Sequence, residues 1–141
     1  MAESVKISIA VIESRQGYVM QRRPAKPGVG AGGKIGLFGG KIEDTDVNPR
    51  TAVAREVCEE TGLDFDPLKY HYAGEVQVVA DDGHGNEVDI RAQVYGLNIG
   101  AKLTEACVTD GELVVVPLGD ISSLLDELTP ATRAVFTELY Q

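Results

Sequence analysis

The stretch from Gly39 to Leu63, GGKIEDTDVNPRTAVAREVCEETGL, decides how this chain reads. Gly39-Gly40 ends a short apolar piece, Ile35 to Phe38, and glycines permit the close backbone approach that a phosphate or metal site needs. Asn48 is a good helix N-cap, Pro49 fits the first helical position, and Gly62 is placed to end the helix. At roughly 100° per residue, Glu56, Glu59 and Glu60 fall within an arc of about 100°. Val57, Ala54, Thr61 and Cys58 lie towards the other side and are expected to pack on a sheet. Three carboxylates on one arc repel one another unless cations offset them, either Arg55 one turn before Glu59 or bound divalent metal. Hard oxygen donors of this kind suit Mg²⁺ or Mn²⁺. Spacing alone favours a solvated acidic face; the Gly-Gly turn ahead of it shifts the balance towards a site.

Upstream, Val5 to Glu13 is rich in β-branched residues, and Gly17 separates it from Tyr18 to Gln21, which predicts two strands joined by a tight turn. A Pro/Gly-rich loop, Pro24 to Gly33, follows Arg22 and Arg23 and carries Lys26. Downstream, Lys69 to Ala80 and Glu87 to Ile99 are strand-like around the turn signal Asp81 to Asn86. Glu112 to Leu118 predicts a further strand, Ile121 to Leu128 a short helix, and Thr129-Pro130 the start of a C-terminal helix towards Tyr140. No repeat, low-complexity tract or linker interrupts the order, so one domain over residues 1–141 is expected. Strands around one central helix and a terminal helix imply an α/β fold with a central mixed sheet.

Composition narrows the function. The 141 residues carry 13 Lys+Arg against 22 Asp+Glu, a formal charge of −9. Residues 1–41 hold seven basic and two acidic side chains, +5, which leaves −14 for the rest. An acidic body with a basic first third suits an anionic ligand, a metal or both, and disfavours stable nucleic-acid binding. Cys58 and Cys107 form neither a disulfide framework nor a zinc spacing, so two reduced thiols are expected. The apolar run Ile7 to Ile12 is too short for a signal core or a membrane span. A cytoplasmic location without membrane association is the expectation.

The segment resembles the signature of the Nudix hydrolases, of the MutT-like kind, written G-x5-E-x7-R-E-U-x-E-E-x-G-U with U aliphatic. Arg55-Glu56-Val57-Cys58-Glu59-Glu60-Thr61-Gly62-Leu63 matches the second half at every fixed position, and Gly40 matches the opening glycine. The first half departs from it. The mid-box glutamate falls on Asp46, and the gap from Asp46 to Arg55 is one residue too long. Glu43 and Asp44 stand nearby as substitutes. The resemblance implies an α/β/α sandwich, with this departure bearing on metal affinity rather than on fold.

It further implies hydrolysis of a phosphoanhydride in a nucleoside diphosphate linked to another moiety, with Mg²⁺ or Mn²⁺ as cofactor. Glu59 and Glu60 would be the main metal ligands, Glu56 would complete the cluster or orient water, and the Gly40 carbonyl would also ligate. Arg55, and Asp46 in the loop, would be structural. A base outside the box is often a glutamate on a later loop, which points to Glu105, with Glu112 as second choice. Arg22, Arg23, Lys26 and Lys41 are the candidates for phosphate contacts. Base stacking would fall to Phe38, Tyr18, Tyr72 or Tyr95, for which core packing is the competing fate. Arg91 could face substrate or solvent, while strand and turn chemistry account for His71 and His84. Neither the proline typical of ADP-ribose cleavers nor the tyrosine of dinucleoside-polyphosphate cleavers stands in the Val78 to Asp81 region. Short length and a lone domain resemble the small family members that act on nucleoside triphosphates or on sugar-linked diphosphates. The alternative is a Nudix-fold binding or regulatory module, and a homodimer is a further option.

Overall fold

The structure is a computed structural model and describes residues 3–25, 32–108 and 110–140. Strand β1 (Glu3–Ser14) is the spine of a seven-stranded sheet. It turns at Arg15-Gln16 into β2 (Gly17–Arg22), which pairs with it antiparallel. The apolar piece after the loop forms two short strands, β3 (Ile35–Gly36) and β4 (Phe38–Lys41). The break comes at Leu37, whose N–H donates to Thr132 Oγ1 at 3.0 Å instead of to a neighbouring strand. β3 joins β2, while β4 runs antiparallel beside the middle of β1, Ile7 to Ala10.

Helix α1 (Pro49–Thr61) begins and ends where the sequence expects. Asn48 Oδ1 accepts the Thr51 N–H at 2.8 Å, satisfying a donor that the first turn leaves open. Gly62 caps the other end in the left-handed region, φ 76°, where a Cβ would be strained. A 3₁₀ turn (Pro67–Lys69) leads into the long hairpin of β5 (His71–Asp81) and β6 (Glu87–Gly100). β6 lies parallel to β1 along almost its full length, and this parallel pairing makes the sheet mixed. β7 (Glu112–Val116) then pairs with β2, and α2 (Pro130–Glu138) closes the chain. The expected short helix over 121–128 is instead two 3₁₀ turns, Leu118–Ser123 and Leu125–Glu127.

The two helices cover opposite faces of the sheet. Val53 and Val57 of α1 meet Ala10, Ile12, Phe38 and Leu97 on one side. Val135 and Phe136 of α2 meet Ile9, Val11, Met20 and Val94 on the other. Successive residues of β1 thus alternate between the two cores, as the strand period requires. Each fully buried valine contributes about 1.5–3 kcal/mol, so α1 is held by its packing as much as by its caps. Cys58 departs from expectation: it is exposed, because it sits on the flank of α1 beyond the stripe of Val53, Ala54, Val57 and Thr61 that meets the sheet. Cys107 is exposed as well. No described helix is long and apolar enough to cross a membrane.

Candidate active site

The sheet face of α1 leaves Glu56 and Glu60 on the flank that looks towards β4. Glu60 is half-buried, and the Gly39 N–H donates to its Oε1 at 3.0 Å. Burial pushes its carboxyl up to about 7, the Gly39 bond works against that, and the nearby Glu56 charge adds to it. Gln21 and Arg23 face the same carboxyl and pull it down. Glu56 is also raised, by burial first, with Arg55 opposing. A Cβ built on Gly40 would lie 2.5 Å from the Glu56 carboxyl carbon, so any larger residue there would push the Glu56 carboxylate out of its place.

Arg55 is the hub of the acidic face. Its Nε and one terminal nitrogen hold Asp46 Oδ1 and Oδ2, both at 3.0 Å. Its other terminal nitrogen reaches Glu56 at 3.1 Å and Glu59 at 3.4 Å. The Asp46 side chain is only 4% exposed, whereas that of Glu59 is 58% exposed. Of the three carboxylates near position 46, Asp46 is therefore the partner; Glu43 stands at 3.8 Å and Asp44 is exposed. The Asp46 bonds hold its own carboxyl below the usual range.

Glu60, Gly39 and Gly40 open onto a cleft of about 690 Å³. Aliphatic side chains of β1 and β6, among them Ile7, Ile9, Val88 and Ile90, form its floor. Arg23 and Lys41 stand near the Glu60 end, and Asp81, Asp82, Asp110 and the first residues of α2 complete the walls. The sequence-based candidates divide accordingly. Glu60, Gly40, Arg23 and Lys41 line the cleft, with Glu56 and Glu59 next to Glu60 on α1.

Arg22 does not line it: one terminal nitrogen donates to Gly33 O at 3.0 Å and the other lies 3.6 Å from Glu127. Lys26 falls outside the described residues. Glu105 is exposed at the end of the 3₁₀ turn Lys102–Glu105, Glu112 is exposed at the start of β7, and neither lines the cleft. Phe38, Tyr18 and Tyr95 are buried in the two cores, and Tyr72, 54% exposed, packs edge-on against Tyr95. Arg91, His71 and His84 are exposed.

Gln21, Asp81, Asp82, Asp110 and the α2 start were not among the sequence candidates. For Gln21 the signal was present: a polar residue continues the apolar run Tyr18 to Met20, and it is only 9% exposed. Asp81 and Asp82 read as turn formers, which they also are, since both accept backbone N–H groups within their own loop.

The donor set fits a hard divalent cation chemically, being carboxylates and a glycine carbonyl. Among the described residues, no group of three or more acidic, His or Cys side chains is gathered as a ready cation cage. Glu56 and Glu59 face the Arg55 guanidinium, which already plays the part of a cation to them.

The NUDIX domain family model matches residues 4–138. No curated protein matches the sequence significantly. Among solved structures, the MutT protein from Methanosarcina mazei Go1 is 24% identical at a TM-score of 0.76, covering 98% of this chain and 94% of its own. The MutT NUDIX hydrolase from Burkholderia pseudomallei is 23% identical at a TM-score of 0.69, covering 99% of each chain. A bifunctional NMN adenylyltransferase/ADP ribose pyrophosphatase from Francisella tularensis, solved with AMP and a Mn ion, is 18% identical at a TM-score of 0.70. This chain covers only 41% of that one. At these identities the likenesses speak for the fold, and the family match over nearly the whole chain carries the assignment. The chain belongs to the Nudix family of hydrolases.

Proposed function

We propose that the protein is a Mg²⁺- or Mn²⁺-dependent hydrolase of a phosphoanhydride bond in a nucleoside diphosphate linked to another moiety. A nucleoside triphosphate or a nucleotide sugar is the favoured substrate. The observation that carries this is the half-buried Glu60, with its carboxyl beside Glu56 and at the mouth of a cleft that also holds Arg23 and Lys41. A half-buried acidic pair is costly until a cation joins it, and the basic side chains beside Glu60 suit phosphate. The Francisella relative, with its AMP and Mn ion, is consistent with this chemistry.

In this reading Glu56, Glu59, Glu60 and the Gly40 carbonyl would hold the metal, which would neutralise phosphate charge and lower the pKa of water there. The chain's own residues do the rest. The Gly39 N–H fixes the Glu60 carboxylate through Oε1. Arg55, clamped by Asp46, orients Glu56 and Glu59. Arg23 and Lys41 steady the phosphates, and the aliphatic floor takes the nucleoside without aromatic stacking. This reading assigns the general base to a box carboxylate, which the position of Glu105 and Glu112 outside the cleft supports. A cytoplasmic setting goes with this reading.

The test is a panel of nucleoside triphosphates, nucleotide sugars, ADP-ribose and dinucleoside polyphosphates with Mg²⁺ or Mn²⁺, identifying every product. Cleavage of at least one class between phosphates, abolished by chelator, is expected. Tight binding with no turnover across the panel would favour the binding-module alternative.

A further inference from the structure

We propose that the extra residue in the box loop and the aspartate at position 46 are a matched pair. The longer loop carries the backbone of residue 46 towards Arg55, so that a side chain one methylene shorter than glutamate positions the guanidinium. The departure from the family pattern thus preserves the site. For what Glu56 and Glu59 do, this rests on the reading above.

Both ends of the loop are pinned. At its start the Ile42 N–H donates to Lys6 O at 3.1 Å, which ties it to β1. At its end Asn48 caps α1, and Ser8 Oγ of the same strand donates to Pro49 O at 2.8 Å. An inserted residue therefore has to be taken up between positions 43 and 47. There the chain folds back on itself: the Asp46 N–H donates to Glu43 O at 2.9 Å, and the Glu43 N–H donates to Asp46 Oδ2 at 2.8 Å. The surplus emerges at Val47, an apolar side chain left 86% exposed.

The turn delivers Asp46 to Arg55 with both carboxylate oxygens engaged at 3.0 Å and the side chain 4% exposed. One added residue lengthens a chain by up to about 3.5 Å, and a methylene is worth about 1.5 Å of reach. On this backbone a glutamate would have to buckle or push the loop away. The two-point clamp fixes the plane of the guanidinium, and that leaves one terminal nitrogen facing Glu56 at 3.1 Å and Glu59 at 3.4 Å. Asp46 is a positioning residue: it acts on the carboxylates through Arg55.

Groups that orient metal ligands from behind are worth about 10–100-fold in metal affinity. The experiment compares the native chain with Asp46→Asn, Asp46→Glu, and Asp46→Glu combined with deletion of Val47, which restores the family spacing. Two quantities are read on folded protein: Mn²⁺ affinity by electron paramagnetic resonance, and the exchange-protected Arg55 Nε–H signal by NMR without metal. Both single variants should lose the protected signal and bind Mn²⁺ about tenfold more weakly, and the double variant should regain both. The proposal is overturned if Asp46→Glu keeps the signal and binds Mn²⁺ within twofold of native. It is equally overturned if the double variant does no better than Asp46→Glu, or does not fold. Should the native chain bind no Mn²⁺ at all, the metal reading fails, and the Arg55 signal still decides the matched pair.

Discussion

The Gly39 N–H and the Glu60 carboxylate, 21 positions apart in sequence, meet at 3.0 Å and join the edge of β4 to the flank of α1. Burial raises the Glu60 carboxyl to about 7 from an ordinary value of 4.5. A carboxyl whose native value lies above its unfolded one costs nothing at low pH. The cost grows as pH climbs from about 4.5 and is complete above about 7. Without divalent cations, Glu60→Gln should therefore melt with the native protein at pH 4 and at a higher temperature than it at pH 8. Thermal melts at both values check this, and an equal difference at the two would contradict it.

Gly40 faces the Glu56 carboxyl so closely that a methyl group has no room. Gly40→Ala should displace Glu56 while α1 and the sheet remain. The expected result is a loss of at least tenfold in kcat with little change in far-ultraviolet circular dichroism. Unchanged kcat would mean that the site does not depend on where Glu56 sits.

Adjacent arginines separate by role. Arg23 lines the cleft, while Arg22 is bonded to Gly33 O and lies near Glu127. A charge-assisted hydrogen bond to phosphate contributes about 1.5–3 kcal/mol, so Arg23→Ala should raise KM about tenfold or more. Arg22→Ala removes a half-exposed ion pair of small value and should leave KM within twofold. Steady-state kinetics on the best substrate distinguish the two, and equal effects would count against the assignment of Arg23.

Glu105→Gln and Glu112→Gln should each keep kcat within about threefold, since both residues are exposed outside the cleft. A loss of about a hundredfold in either would restore that glutamate as the general base.

What the sequence disclosed, and what it withheld, follows the range of the interactions. The ends of α1 were legible because Asn48, Pro49 and Gly62 act within a few residues of themselves. The arc of Glu56, Glu59 and Glu60 follows from helical period alone. The break at Leu37 was hidden, because its cause is Thr132, 95 residues away. The cleft was hidden for the same reason: Gln21, Asp81, Asp110 and the start of α2 meet only once β6 lies parallel to β1. At Asp46 the count showed that the spacing was irregular; only the fold shows that the carboxylate still reaches Arg55. Glu105 reads as a base from its place in an irregular stretch before a strand, and a loop's direction is not written in its order.

The most direct test of the central claim is the rate of Mg²⁺-dependent hydrolysis of the best panel substrate by Glu60→Gln, with folding verified by NMR. The account predicts a folded protein whose kcat falls at least a hundredfold. Hydrolysis at the native rate in that variant would contradict it.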